Sequence, residues 1–155
     1  MATVESSNMI DLLIKYLKIK DISSETMTKL ASFCERTVHE AGEILYREHE
    51  QSLHFYIVHS GQVDIQYLLA DGRRKTVDAL FQGDFMLWSA VVPPYKTNSI
   101  GICRAKTDLI AIDGAKLLEL CETDPIFGYR FMSLIASVIR RRVQSARQQL
   151  IDLDD

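Results

Sequence analysis

The sequence predicts a mainly β fold, an antiparallel roll with two helices before it and a long helix after it. Three observations predict this. Apolar and polar residues alternate with period two between Arg36 and Asp113, glycine-bearing turns punctuate that stretch, and the period reverts to 3.6 on both sides of it. Short strands at regular spacing between such turns argue for a roll or barrel rather than for a layered α/β sheet.

In the first segment, Ile10, Leu13, Ile14 and Leu17 recur at the spacing of a one-faced helix, with Ser7 or Asn8 placed to cap it. Asp21–Ser24 interrupts the pattern. A second helix follows, capped by Ser23, with Glu25 in its first turn and a stripe of Met27, Leu30, Ala31 and Cys34. Neither stripe can stay uncovered, so both helices are expected to pack on another element.

In the β region Leu53, Phe55, Ile57 and His59 alternate with His54, Tyr56, Val58 and Ser60, and Val63, Ile65 and Tyr67 alternate with Gln62, Asp64 and Gln66. Turns are expected at Gly42, Gly61, Asp71-Gly72, Gln82-Gly83 and Lys106–Asp108. Asp71-Gly72 is the strongest signal, because such a pair suits a tight hairpin.

Beyond Asp113 a helix over Gly114–Glu122 presents Leu117, Leu118 and Leu120, and Asp124-Pro125 stops it and starts the next. Residues 126–153 form the longest segment, about 42 Å as a helix. There Met132, Ile135, Ile139, Val143, Ala146, Leu150 and Leu153 are spaced by threes and fours, as a two-chain coiled coil needs. The first half is expected to dock on the roll and the second to pair with another copy. The organisation is one domain: helical residues 1–35, a roll over 36–113, and helices over 114–155.

With 155 residues, 47% of them hydrophobic, and a net charge of −3, the chain has the size and composition of one globular domain. No excess of positive charge is available for non-specific nucleic-acid binding. No apolar run reaches the roughly 18 residues a membrane span requires. Met1–Asn8 lacks the basic start and apolar stretch of a secretion signal, so a cytoplasmic location is expected. Cys34, Cys103 and Cys121, odd in number and far apart, read as small buried hydrophobes.

The chain resembles the cyclic-nucleotide-binding domain of the catabolite-activator family of regulators over roughly Leu12 to Leu150. The likeness is carried by Glu40-Ala41-Gly42-Glu43-Ile44-Leu45, by Phe55-Tyr56-Ile57-Val58-His59-Ser60-Gly61-Gln62-Val63, by Leu80-Phe81-Gln82-Gly83-Asp84-Phe85 and by Arg104-Ala105-Lys106-Thr107-Asp108. It implies a double-stranded β-helix, or jelly roll, with a phosphate cassette at residues 83–99. In that family the cassette reads approximately Phe-Gly-Glu-x-Ala-Leu and is followed by an arginine. A short helix offers its N–H groups to the phosphate, glutamate accepts the ribose hydroxyl, and arginine clamps the anion.

Here the corresponding run is Phe85-Met86-Leu87-Trp88-Ser89-Ala90-Val91-Val92. Leu87 stands at the glycine position and Trp88 at the glutamate position, while only Ala90 keeps the pattern. The arginine position falls on Thr97 or Ser99, depending on which flanking motif anchors the alignment, and the nearest cation is Lys96. Losing two charged clamps of about 1.5–3 kcal/mol each removes about two to four decades of affinity, so ordinary cyclic AMP or cyclic GMP binding is not expected.

Trp88 either walls a pocket for another small molecule or fills the vacated space with its own ring. Lys96, Thr97, Asn98 and Ser99 either bind an anion beside a helix N-terminus or form a solvated loop. His54 and His59 lie on opposite faces of one strand, and no metal site is expected. Arg140-Arg141-Arg142 with Arg147 forms a basic band read chiefly as solvation and pairing with a partner helix.

No GxSxG, GxxxxGK or HExxH pattern occurs, and neither an enzyme nor a cofactor is expected. Asp155 ends the sequence a few residues past the seam, leaving no room for the helix-turn-helix that follows this helix in many relatives, so direct sequence-specific DNA reading is not expected. The expected function is a homodimeric regulatory sensor for a small effector other than a standard cyclic nucleotide, acting through its last helix on a downstream protein. Two alternatives stand beside it: a ligand-free dimerisation or docking module, and cyclic-nucleotide binding in an altered mode through Lys96.

Overall fold

The structure is a computed structural model that describes residues 4–153. Helix α1 spans Val4–Leu17. Its start at Val4 places Ser7 and Asn8 inside the helix, so neither caps it. Met9, Leu13, Tyr16 and Leu17 form its buried face, and Ile14 is 56% exposed. Counting only aliphatic residues rotated the predicted stripe, because Tyr16 buries its ring while its hydroxyl reaches His59 Nδ1 at 2.6 Å.

Helix α2 spans Ser24–Ser32 and starts as predicted, with Ser23 Oγ accepting from Thr26 N at 3.1 Å. Its buried residues are Thr26, Leu30 and Ala31. Cys34 does not continue the helix but opens strand β1 (Cys34–His39). The other strands are β2 (Ile44–Tyr46), β3 (His54–Ser60), β4 (Val63–Leu68), β5 (Arg74–Leu80), β6 (Phe85–Met86), β7 (Ile100–Cys103) and β8 (Thr107–Asp113).

They form two antiparallel four-stranded sheets, ordered β1-β8-β3-β6 and β2-β7-β4-β5. The predicted alternation in β3 is only half the pattern. Phe55 and Ile57 face the helices, but Val58 on the opposite face is also fully buried, against Val63, Ile65 and Leu109 inside the roll. The first sheet is therefore a middle layer, covered by helices on one side and by the second sheet on the other.

Gly42, Gly61, Gly72 and Gly83 all take positive φ, at the turns the sequence marks. The β4–β5 connection is longer than a two-residue hairpin. Leu69 N donates to Arg73 O at 2.7 Å and Gly72 N to Leu69 O at 3.0 Å, while the Asp71 carboxylate accepts from Arg73 N at 3.0 Å. Asp71 thus ties the turn with its side chain rather than adopting positive φ itself.

Helix α3 (Gly114–Thr123) is capped by Asp113, and α4 (Pro125–Asp152) by Asp124, whose Oδ1 accepts from Phe127 N at 3.2 Å. The break at Asp124-Pro125 is where the sequence puts it. The first half of α4 docks on the middle sheet through Phe127, Phe131, Ile135 and Val138. Phe131 meets Phe55 edge to face, with ring centres 5.6 Å apart. Burying either Phe127 or Phe131 contributes about 1.5–3 kcal/mol, enough to fix the rotation of the helix about its axis.

That rotation differs by one residue from the expected seam. The inward face runs Phe127, Phe131, Ile135, Val138, Arg142, Ser145, Gln149, whereas the seam read from sequence runs one position later at most steps. Of that seam, Ile135 is core and only 2% exposed, Met132 and Ile139 are half-buried, and Val143, Ala146, Leu150 and Leu153 are exposed.

Candidate functional site

Strand β6 is only two residues long, and it delivers the chain to the open end of the roll. Leu87 follows with φ 65° and ψ 54°, a left-handed conformation that a leucine adopts only at a cost of about 1–3 kcal/mol. Its side chain is held against the interior cluster of Tyr46, Val58 and Met86. The reversal at Leu87 turns the chain into a single 3-10 turn, Trp88–Ala90, and lays the indole along the rim.

A cavity of about 520 Å³ opens there, between the interior of the roll and the second half of α4. Trp88 lines it and does not fill it. Of the residues the sequence singles out, Met86, Leu87, Trp88, Ser89, Lys96, Thr97 and Ser99 lie on its wall. Phe85 and Ala90 do not: Phe85 stacks on Phe55 with ring centres 5.6 Å apart, and Ala90 is buried under the start of α3, where its carbonyl and Cβ close on Gly114.

The polar loop is mostly scaffold. Thr97 is 4% exposed, and its Oγ1 accepts from Glu50 N at 2.9 Å and donates to Arg47 O at 2.5 Å. The backbone of residues 95–97 is also tied to 49–52, through His49 N to Thr97 O at 3.0 Å, Thr97 N to Glu50 O at 2.8 Å and Ser52 N to Tyr95 O at 2.8 Å. No helix begins at Lys96–Ser99; Lys96 instead forms a β-bridge with Gln51. This ladder leaves Lys96 exposed on the rim. Ser99 is buried and pairs with the Tyr46 hydroxyl at 3.1 Å, and burial pushes the Tyr46 phenol up to about 12. Ser89 donates to Ser52 at 2.8 Å.

Sequence reasoning missed half of the wall. Tyr46, Ile65, Tyr67, Lys75 and Asp78 come from β2, β4 and β5, and Arg142, Ser145, Ala146, Gln149 and Leu150 from α4. Helix α4 is anchored across the opening at two points. Arg142 Nη2 donates to Phe85 O at 2.6 Å, and Gln149 Nε2 to Val77 O at 3.2 Å. The Arg142 guanidinium also lies 5.0 Å from the centre of the Trp88 ring, within reach of a cation–π attraction. Arg140, Arg141 and Arg147 are exposed, so the basic band splits, with one arginine turned in and three turned out.

Two of the four histidines are engaged elsewhere, His59 with Tyr16 and His39 with Glu43 at 2.6 Å. Among the described residues no three His, Cys, Asp or Glu side chains converge as metal ligands, and no helix is long and apolar enough to cross a membrane.

A family model for the cyclic nucleotide-binding domain matches residues 36–124. No curated protein matches the chain. Among solved structures, a putative cyclic nucleotide-binding protein from Geobacter metallireducens is similar with TM-score 0.74 and 18% identity, over 92% of this chain and 99% of that one. A cyclic nucleotide-binding domain from Methylobacillus flagellatus is similar with TM-score 0.83 and 14% identity, over 96% and 85%. The sensor domain of the transcriptional regulator DNR from Pseudomonas aeruginosa is similar with TM-score 0.75 and 14% identity, over 90% and 93%. At these identities the likeness is one of fold.

Proposed function

The chain belongs to the cyclic nucleotide-binding domain family, and from that premise we propose that it is a regulatory sensor whose effector is a small molecule other than cyclic AMP or cyclic GMP. One observation carries the reading: the cassette end of the roll holds a cavity of about 520 Å³ with Trp88 on its wall. That volume lies within the roughly 300–1,000 Å³ of small-molecule sites. The groups that would hold a cyclic nucleotide are absent. Trp88 supplies one N–H donor and no carboxylate, Thr97 spends its hydroxyl on the loop, and no arginine stands in the cassette. An altered mode through Lys96 would rest on an exposed point charge on the rim, without the two-pronged fork of an arginine.

Output runs through α4. Its first half is fixed to the core and its second half forms part of the cavity wall, so an effector that contacts it shifts its position by differential affinity. Val143, 43% exposed on the outer face of the helix, and Leu150 and Leu153, 65% and 70% exposed where the cavity opens to the surface, support pairing with a second copy, and a downstream protein would read the helix position.

The test is a thermal-shift series with cyclic AMP, cyclic GMP and a panel of metabolites. A ligand specific to the folded chain stabilises by about 2.7 kcal/mol at a hundred times its dissociation constant. Stabilisation by a panel member and by neither cyclic nucleotide is the expected result. Micromolar calorimetric binding of cyclic AMP would overturn the choice of effector. A silent panel, together with an experimental structure showing the indole collapsed into the space, would leave a docking module.

A further inference from the structure

Given a cavity that takes a small molecule, its walls specify what kind. We infer that Arg142 is the anion-binding residue of this site, and that the effector is an organic oxyanion, a carboxylate or phosphate carried on an apolar body.

Charge is the first argument. Lys75, Lys96 and Arg142 line the cavity against a single carboxylate, Asp78, although the chain as a whole is net negative. Two exposed lysines at the opening and one half-buried arginine within, on an acidic molecule, are a local arrangement for an anion.

The state of Arg142 is the second. Its side chain is 19% exposed, and desolvation, the largest influence on it, pushes its pKa below the ordinary arginine value. Burying a cation this far is costly unless it is paired. Yet Asp78 Oδ2 stands 3.9 Å from Nε, beyond hydrogen-bond reach, and among the described residues only Nη2 has a hydrogen-bond partner, the Phe85 carbonyl. A guanidinium has five donors in a planar fork. Its central carbon lies over the Trp88 ring, 5.0 Å from the ring centre, a contact that uses none of the remaining N–H donors a carboxylate or phosphate would take. A smaller second cavity, lined by Asp78, Asp84 and Arg141, also reaches Arg142.

The third is the remaining lining. Ile65, Met86, Leu87, Val92 and Leu150 offer an apolar surface to the body of the ligand. Because Arg142 belongs to α4, its capture of an anion fastens that helix over the occupied roll, and Asp78 competes with the ligand for the same cation.

Trp88 is the sole tryptophan, which makes the site its own reporter. The probes are 8-anilinonaphthalene-1-sulfonate and N-phenyl-1-naphthylamine, the same body with and without an oxyanion, read by energy transfer from Trp88. The wild type is expected to bind the sulfonate at least about tenfold more tightly than the neutral probe, and Arg142→Gln to bring the ratio of the two affinities to about one. Displacement by 1-naphthoate against 1-naphthyl phosphate separates a carboxylate from a phosphate headgroup. An unchanged preference in Arg142→Gln overturns the assignment of Arg142 while leaving a ligand-binding cavity intact. No transfer from Trp88 to either probe overturns the cavity reading itself. Should Arg142→Gln not fold, Asp78→Asn decides: removing the competing carboxylate raises the preference for the sulfonate over the neutral probe about threefold. An unchanged preference there overturns the proposal.

Discussion

The ring of Tyr46 lies so close to residue 101 that a Cβ on Gly101 would stand 2.3 Å from Tyr46 Cε1. The Tyr46 hydroxyl is held by Ser99 at 3.1 Å, and the ring forms part of the cavity wall. Absence of a side chain at residue 101 therefore sets how far that wall stands back.

Gly101→Ala should push the ring inward and break its bond to Ser99. Overpacking of this kind costs about 1–3 kcal/mol. Urea unfolding measures the cost, and binding of N-phenyl-1-naphthylamine measures the space. The expected result is a lower midpoint with weaker probe binding. A variant with the wild-type midpoint would show that Tyr46 can move freely.

Thr97 and Lys96 are neighbours with opposite duties. Thr97→Val strands Glu50 N and Arg47 O, which should cost about 1–3 kcal/mol. Lys96→Ala removes an exposed side chain and should stay within about 0.5 kcal/mol. Denaturation of the two variants side by side checks the contrast, and equal stabilities would contradict the strut role of Thr97.

The fold was legible because its signals are local. Glycine turns, the Ser23 cap and the Asp124-Pro125 break each depend on a few neighbouring residues, and they fall where expected. The cavity wall was legible only where it is also local, from Met86 to Ser99. Its other wall comes from α4, more than forty residues later, and only packing decides which face of that helix turns inward. A clue was present. Phe127, Phe131, Ile135 and Val138 run by threes and fours straight into Arg142, and a cation continuing a buried stripe marks a polar requirement. Reading the three consecutive arginines as one surface band hid it. The role of Thr97 was not legible, because its partners at residues 47 and 50 meet it only through tertiary structure.

Burial pushes the Cys34 thiol up to about 12 and the Cys121 thiol up to about 11, and raises that of Cys103. Since the thiolate is the reactive form, all three should resist a disulfide reagent at neutral pH in the native protein. Complete labelling of three thiols is expected only after unfolding. Rapid native labelling of any of them would contradict their placement.

Asp124 joins three helices: it caps α4 and accepts from Thr26 Oγ1 of α2 at 2.6 Å, beside the end of α3. That hydrogen bond, followed by the one from Phe127 N, holds its carboxyl below the ordinary value. A depressed folded value means stability that is fully present above the unfolded pKa and lost as pH falls through the folded one. The stability difference between the wild type and Asp124→Asn should therefore be greatest near neutrality and shrink below about pH 4. Urea titrations at a series of pH values test this, and a difference independent of pH would remove the charged cap from the account.

Pairing of α4 can be separated from the cavity at one residue. Val143 is 43% exposed on the outer face, next in sequence to the inward Arg142, and it does not line the cavity, whereas Leu150 does. A lone exposed valine needs no explanation, but Val143 shares its half of the helix with exposed Leu150 and Leu153 at heptad-like spacing. If this face is the seam between two copies, Val143→Glu places like charges opposite each other across a parallel or antiparallel pair near its centre. Light scattering coupled to size exclusion should then report a dimer for the wild type and a monomer for Val143→Glu. Probe binding through Trp88 should persist in the variant, because the cavity is built within one chain. A monomeric wild type, or a variant that stays dimeric, would move the interface away from this face of α4 and leave the exposed leucines to a different partner.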